Sequence, residues 1–248
     1  METIDLLKNN YKILQDSEKF KFGIDAILLS DFIFDSIKKG DNIIDLGCGN
    51  GIIPLMLGKS KAQSITGLEI QTENVQLAEK SVLMNNLQKK IKIIQGDIKN
   101  VRYTFLKHSY DIVASNPPYM IYNHGKQSCL GAKAIARHEV LCNLDDVICA
   151  SDYLLGDNGK FFMIHRPFRL PEIFYQLINH KIEPKRIRFV QPFVHKEPNL
   201  VLIEARKNAN PRLKIENNLI VYETQQEDFK GRGLYTKEIE NIYNRCWE

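Results

Sequence analysis

Five short apolar runs constrain this chain most: Ile43 to Leu46, Ser64 to Ile70, Ile91 to Ile94, Asp111 to Ser115 and Phe161 to Ile164. They are rich in isoleucine and often bounded by Gly, Asp or Asn, the pattern of strands buried on both faces of a parallel sheet. Helix-compatible segments lie between them. In Thr72 to Asn85, Val75, Leu77, Ala78, Val82 and Leu83 share one broad face, while Glu73, Glu79 and Lys80 face water. This alternation predicts a doubly wound α/β sheet with right-handed crossovers, whose ligands bind beyond the carboxyl ends of the strands.

After the fifth run, Leu170 to Asn179 reads as a helix, and Arg186 to Gln191 and Leu200 to Ala205 read as a closing antiparallel hairpin, making seven strands. The expected organisation is an N-terminal helical lid or substrate segment over 1–40, the sheet domain over 41–207, and an extension over 208–248 packed on the same domain. Asn208-Ala209-Asn210-Pro211 is turn chemistry. The acidic tail beyond it, with a short helix-like Thr236 to Tyr243, has little core-forming power on this reading.

At 248 residues and 28.7 kDa the chain can bury a substantial core without staples. Its five cysteines, Cys48, Cys129, Cys142, Cys149 and Cys246, form no C-x-x-C pair, so neither a disulfide framework nor a metal site is expected. A reducing cytoplasm and a soluble, monomeric protein are the expectation. The N-terminus carries acids where a signal peptide would be basic, and no apolar run approaches the ~20 residues that span a bilayer. The net charge of +4 is mild. Between Lys181 and Lys214, however, nine bases face three acids, which reads either as a phosphate-facing surface or as a solvated face with scattered charge.

Two motifs sit at strand ends. Ile43-Ile44-Asp45-Leu46-Gly47-Cys48-Gly49-Asn50-Gly51 runs from an apolar strand into a glycine turn that can admit a nucleoside cofactor. Its G-x-G-x-G spacing is not the dinucleotide G-x-G-x-x-G, and no Gly-Lys-Ser/Thr follows to hold a triphosphate. Asp45 either holds an ammonium or caps the loop. Glu69 ends the second strand about 20 residues on, the interval at which a carboxylate accepts ribose hydroxyls in a nucleotide-binding βαβ unit. Asp97 follows the third strand and could accept from an adenine amine, with Ile98 and Ile70 covering the ring faces. Each acid alone is an ordinary helix cap; Asp45, Glu69, Asp97 and Asn116 at four successive strand ends form a series. The second motif, Asn116-Pro117-Pro118-Tyr119, presents an amide, carbonyls and an aromatic ring together, a set suited to a planar amine.

On these residues the chain resembles the S-adenosylmethionine-dependent methyltransferases of the Asn-Pro-Pro-Tyr type. More narrowly, it resembles the bacterial tRNA adenine methyltransferases that modify the adenine beside the valine anticodon. The narrower likeness rests on Phe20-Lys21-Phe22-Gly23-Ile24-Asp25-Ala26-Ile27-Leu28-Leu29, Leu68-Glu69-Ile70-Gln71, the tetrapeptide, and Ala136-Arg137-His138-Glu139. The resemblance implies a Rossmann-like, mostly parallel sheet and methyl transfer from S-adenosylmethionine to the exocyclic amine of adenine in tRNA. It further implies cofactor contacts from Phe22, Asp45, Gly47, Gly49, Gly51, Glu69, Ile70, Asp97, Ile98 and Asn116.

That amine is a poor nucleophile because its lone pair is delocalised into the ring, so geometry must activate it. The Asn116 side-chain oxygen and the Pro117 carbonyl can accept its two protons, favouring a pyramidal nitrogen. Pro117 and Pro118 fix the backbone, and Tyr119 offers a face to an extruded base. Phe22 and Asp25 either pack over the cofactor pocket or belong to a core helix. Arg137, His138 and Glu139 touch RNA phosphate, orient the loop after Tyr119 or form a surface ion pair, three readings that stay open. Lys185, Arg186 and Arg188 are the candidate RNA contacts of the basic stretch. Met120 to Ala136 is long for a connection and is a candidate substrate-ordered lid. Methylation of rRNA or DNA bases, methylation of a protein glutamine amide, and RNA binding without catalysis are the competing readings.

Overall fold

The computed structural model describes residues 2–6, 11–16, 23–119, 142–227 and 233–245. The isoleucine-rich runs form adjacent parallel strands, β3 (Asn42–Leu46), β4 (Ser64–Glu69), β5 (Ile91–Gln95) and β6 (Tyr110–Ser115), and β7 (Leu155–His165) continues the parallel set beside β6. The hairpin predicted beyond them is β8 (Ile182–Gln191) and β9 (Leu200–Lys207), with β9 inserted antiparallel between β7 and β8. Across the sheet the order is β8-β9-β7-β6-β3-β4-β5. Two short strands, β10 (Lys214–Ile215) and β11 (Leu219–Ile220), add to the edge beside β8, so among the described residues the sheet has nine strands where seven are expected. Because β9 alone among the long strands is reversed, the other six end on one edge. That edge carries both sequence motifs.

Helices cover both faces, as a sheet with strands buried on both sides requires. On one face lie α1 (Ile24–Phe34), α2 (Ile52–Met56) and α3 (Thr72–Met84). On the other lie α4 (Val101–Thr104), α5 (Leu144–Leu154) and α6 (Leu170–Asn179). In α3 the predicted face is buried at Val75, Leu77, Ala78 and Val82, but Leu83 points out and is 61% exposed. A capping box of Asn143 and Asp146 starts α5.

The N-terminal segment expected to be helical contains a hairpin, β1 (Glu2–Leu6) with β2 (Lys12–Asp16), ahead of α1. The hairpin is stitched to α3: Lys12 N donates to Asn85 Oδ1, Asn85 Nδ2 donates to Lys12 O, and Leu14 N donates to Ser81 Oγ. α1 is apolar nearly all round because it is enclosed, between the sheet and the C-terminal extension. The extension holds β12 (Tyr222–Glu227), β13 (Gly233–Tyr235) and α7 (Lys237–Asn244). Contrary to the expectation of a weakly packing tail, Leu219, Val221, Ile239 and Ile242 are buried in the same core as α1. Arg245 adds ion pairs to Asp31 and Asp35.

Candidate active site

At the end of β3 the chain turns through Gly47, Gly49 and Gly51, with φ of +78°, +55° and +84°. These left-handed conformations are costly for residues with a Cβ. At Gly51 a Cβ would also stand 3.0 Å from Cβ of Ala78 in α3. Leu68 O anchors the turn by accepting from Gly47 N at 2.9 Å and Cys48 N at 3.0 Å. Glu69 anchors it from β4: its carboxylate accepts from Gly49 N and Gln71 N, each at 2.9 Å. One acid therefore shapes the turn and starts α3, and each oxygen keeps further acceptor capacity.

Asp45, one step before the turn, is 1% exposed, and neither carboxylate oxygen has a hydrogen-bond partner among the described residues. Burial, and next the nearby charge of Glu69, push its pKa up from 3.8 to about 8. A buried acid without a partner suits an arriving cation. Asp97, past β5, accepts from Lys99 N at 2.9 Å and caps a short 3-10 turn. Ile98 abuts the glycine turn, its Cδ1 3.9 Å from where a Gly47 Cβ would lie; Ile70, just past the end of β4, is exposed.

Beside β3, strand β6 delivers Asn116, Pro117, Pro118 and Tyr119, and Ser115 Oγ ties its end to Leu46 O at 2.9 Å. The Tyr119 hydroxyl lies 2.6 Å from Asp25 Oδ2 and 2.7 Å from Asn116 Oδ1. Its ring meets His165 edge-on at 5.4 Å, and the Arg166 guanidinium stands 5.0 Å from its centroid. His165 ends β7, buried, its Nδ1 accepting from Arg166 N at 2.8 Å. Burial, then the Arg169 charge, lower its pKa to about 4, so the ring is neutral near pH ~7 with the proton on Nε2. A small pocket lies against Pro117 and Pro118, walled by Cys142, Asn143, Leu144, His165 and Arg169.

The structure thus brings together Asp45, Gly47, Gly49, Gly51, Glu69, Ile70, Asp97, Ile98 and the tetrapeptide on one sheet edge. Phe22, Arg137, His138 and the candidate lid fall outside the described residues. Lys185, Arg186 and Arg188 are elsewhere, within β8. Arg186 pairs with Glu204 and Glu216 and stacks on Phe32 at 3.8 Å; Arg188 pairs with Glu238; Lys185 donates to Asn210 O. Arg206 pairs with Glu204 and Lys207 with Asp152. Lys181 precedes β8 and Lys196 follows it. Sequence reasoning missed His165 and Arg166, and left Asp25 undecided.

A family model described as "Methyltransferase small domain" matches residues 24–169, more than half the chain. The chain belongs to that family. Among curated relatives, a tRNA1(Val) (adenine(37)-N6)-methyltransferase of Tolumonas auensis is 30% identical over 62% of each chain. A Porphyromonas gingivalis protein of the same name is 26% identical over 86% of this chain and 85% of its own. Among solved structures, a predicted O-methyltransferase from Agrobacterium tumefaciens superposes with a TM-score of 0.70 at 20% identity, over 90% of this chain and 96% of that one. A geranyl diphosphate C-methyltransferase from Streptomyces coelicolor, solved with S-adenosyl-L-homocysteine, gives 0.54 at 11% identity, over 73% and 80%. These two show the fold, a Rossmann-like methyltransferase sheet. The residues at the sheet edge fit S-adenosylmethionine: a buried carboxylate without a partner among the described residues for its ammonium, a turn with glycine at three positions, and acids at the next two strand ends.

Proposed function

We propose that this methyltransferase acts on the exocyclic amine of an adenine in tRNA, with S-adenosylmethionine as methyl donor. The observation that carries the reading is the juxtaposition of Asn116 and Tyr119 with the glycine turn across neighbouring strands β6 and β3. The names of the relatives support the tRNA substrate and the adenine beside the valine anticodon. When bound, S-adenosylmethionine supplies an electrophilic methyl on a sulfonium. The protein's part is to bind and orient. Asp45 would hold the ammonium, Glu69 would offer its remaining lone pairs to the ribose hydroxyls, and Asp97 with Ile70 and Ile98 would frame the adenine ring. Asn116 Oδ1 and the Pro117 carbonyl accept the two amine protons, which biases the nitrogen toward a pyramidal, nucleophilic geometry. Neutral His165 and the Arg166 guanidinium hold the Tyr119 ring, leaving the target base to pack against the rest of its surface. The test is Asn116→Ala: turnover on tRNA falls by ~100-fold or more while cofactor affinity, read by calorimetry, stays within about threefold. Parallel loss of both would refute the assigned role.

A further inference from the structure

We infer that Asp25 is a positioning residue for the amide of Asn116, acting through the Tyr119 hydroxyl. The inference rests on the proposed role of Asn116 as acceptor of the target amine. It comes from a proton count. Among the described residues the Tyr119 oxygen has two oxygen neighbours within hydrogen-bond distance, Asp25 Oδ2 at 2.6 Å and Asn116 Oδ1 at 2.7 Å, but a phenol has a single proton to donate. Burial, then Asp25, hold that phenol well above its ordinary value of 10.0, so the proton stays on it.

The carboxylate is the stronger claimant, because a charge-assisted hydrogen bond is about twice as strong as a neutral one. Asp25 is also fixed in place: Oδ1 accepts from Ala26 N at 2.9 Å in the first turn of α1, and α1 is held by the core and by the Arg245 pairs. With its proton committed to Asp25, Tyr119 Oη can only accept from Asn116. An amide has nearly the same shape either way round, so the contact is satisfied by turning Nδ2 toward Tyr119. Oδ1 then points away from Tyr119 and remains an acceptor.

The consequence is chemical selectivity. An acceptor at that position welcomes an amine, which brings two N–H donors, and opposes a carbonyl oxygen. Without Asp25 the phenol proton passes to Asn116 Oδ1, and the amide presents its own N–H groups to the incoming amine, donor against donor. Asp25 thus sets the polarity of the amine site from a helix that precedes the whole sheet domain in sequence.

The test uses the isotope-labelled full-length protein. In the wild type, a nuclear Overhauser effect links an Asn116 side-chain amide proton to the Tyr119 ring protons beside the hydroxyl, and it disappears in Asp25→Ala. If Asp25→Ala loses its fold, Asp25→Asn keeps the shape without the charge, and the effect weakens as the amide samples both orientations. In methyl transfer to tRNA, Asp25→Ala lowers kcat by about tenfold with KM for tRNA and affinity for S-adenosylmethionine within about twofold, and adds nothing further on a Tyr119→Phe background. Absence of the wild-type effect, its persistence without Asp25, or multiplying kinetic losses would overturn the inference. A wild type inactive on tRNA would instead sink the substrate reading, while the resonance experiment still decides the role of Asp25.

Discussion

Asp45 makes the cofactor-free protein pay for its binding site, and the cost has a sign and a size. Its folded pKa of about 8 lies above the ordinary 3.8, so between those values the folded state holds a proton that the unfolded state releases. The stability this group contributes is fully present below the unfolded value and is lost as pH rises toward about 8. The slope is ~1.4 kcal/mol per pH unit, which gives ~4 kcal/mol between pH ~5 and ~8. Asp45→Asn removes the titration. The buried carboxamide has its own unsatisfied polar atoms, costing ~1–3 kcal/mol, but that cost does not vary with pH and cancels from the comparison. The melting temperature of the cofactor-free wild type should therefore fall relative to Asp45→Asn by ~8–16 °C over this range. Calorimetric or fluorescence melts at a series of pH values read the difference directly. A gap between the two proteins that does not change with pH would refute the reasoning. The same group predicts that S-adenosylmethionine binding near pH ~7 releases about one proton, detectable as a heat that depends on buffer ionisation, and that Asp45→Asn abolishes this dependence.

Other outcomes follow from the same geometry. Gly51→Ala forces a Cβ against Ala78 at a φ of +84°, and should cost ~1–2 kcal/mol in denaturant melts together with a weakened cofactor affinity. Glu69→Gln replaces an acceptor for Gly49 N or Gln71 N with a donor, and should weaken cofactor binding by about tenfold, measured by calorimetry. Arg186→Ala strips the buried Glu204 of a partner, so it should lower stability by ~2–3 kcal/mol while leaving KM for tRNA within about twofold; a large KM rise with unchanged stability would instead support Arg186 as an RNA contact.

The sheet was legible because a parallel strand buried on both faces writes itself as a continuous apolar run, as at Ile43 to Leu46 and Ile91 to Ile94. β7 was read only from Phe161 because Gly156, Asn158 and Gly159 break the apolar pattern in its first half, although the strand begins at Leu155. The N-terminal hairpin left no such trace: its strands have five residues each, and what holds them is the backbone of Lys12 and Leu14 bonding to α3. The tail reads as weak because its apolar residues are few, yet Leu219 and Val221, two apart, and Ile239 and Ile242, three apart on one helix face, all reach the core. The candidate site divides the same way. Asp45, the glycines, Glu69, Asp97 and the tetrapeptide are contiguous motifs at strand ends, visible once the strands are. Asp25, His165 and Arg166 reach Tyr119 only through the crossing of α1 and β7, which no local pattern encodes. In the basic stretch, charge counted along the chain does not show that Arg186, Arg188, Arg206 and Lys207 have acidic partners.

The most direct test of methyl transfer to a tRNA adenine is to incubate the protein with methyl-labelled S-adenosylmethionine and unmodified tRNA, rRNA and protein in parallel, then digest the labelled RNA to nucleosides. Label recovered from tRNA as N6-methyladenosine, and lost with Asn116→Ala, is the predicted result; label in protein, in rRNA alone, in another nucleoside or in nothing at all would contradict it.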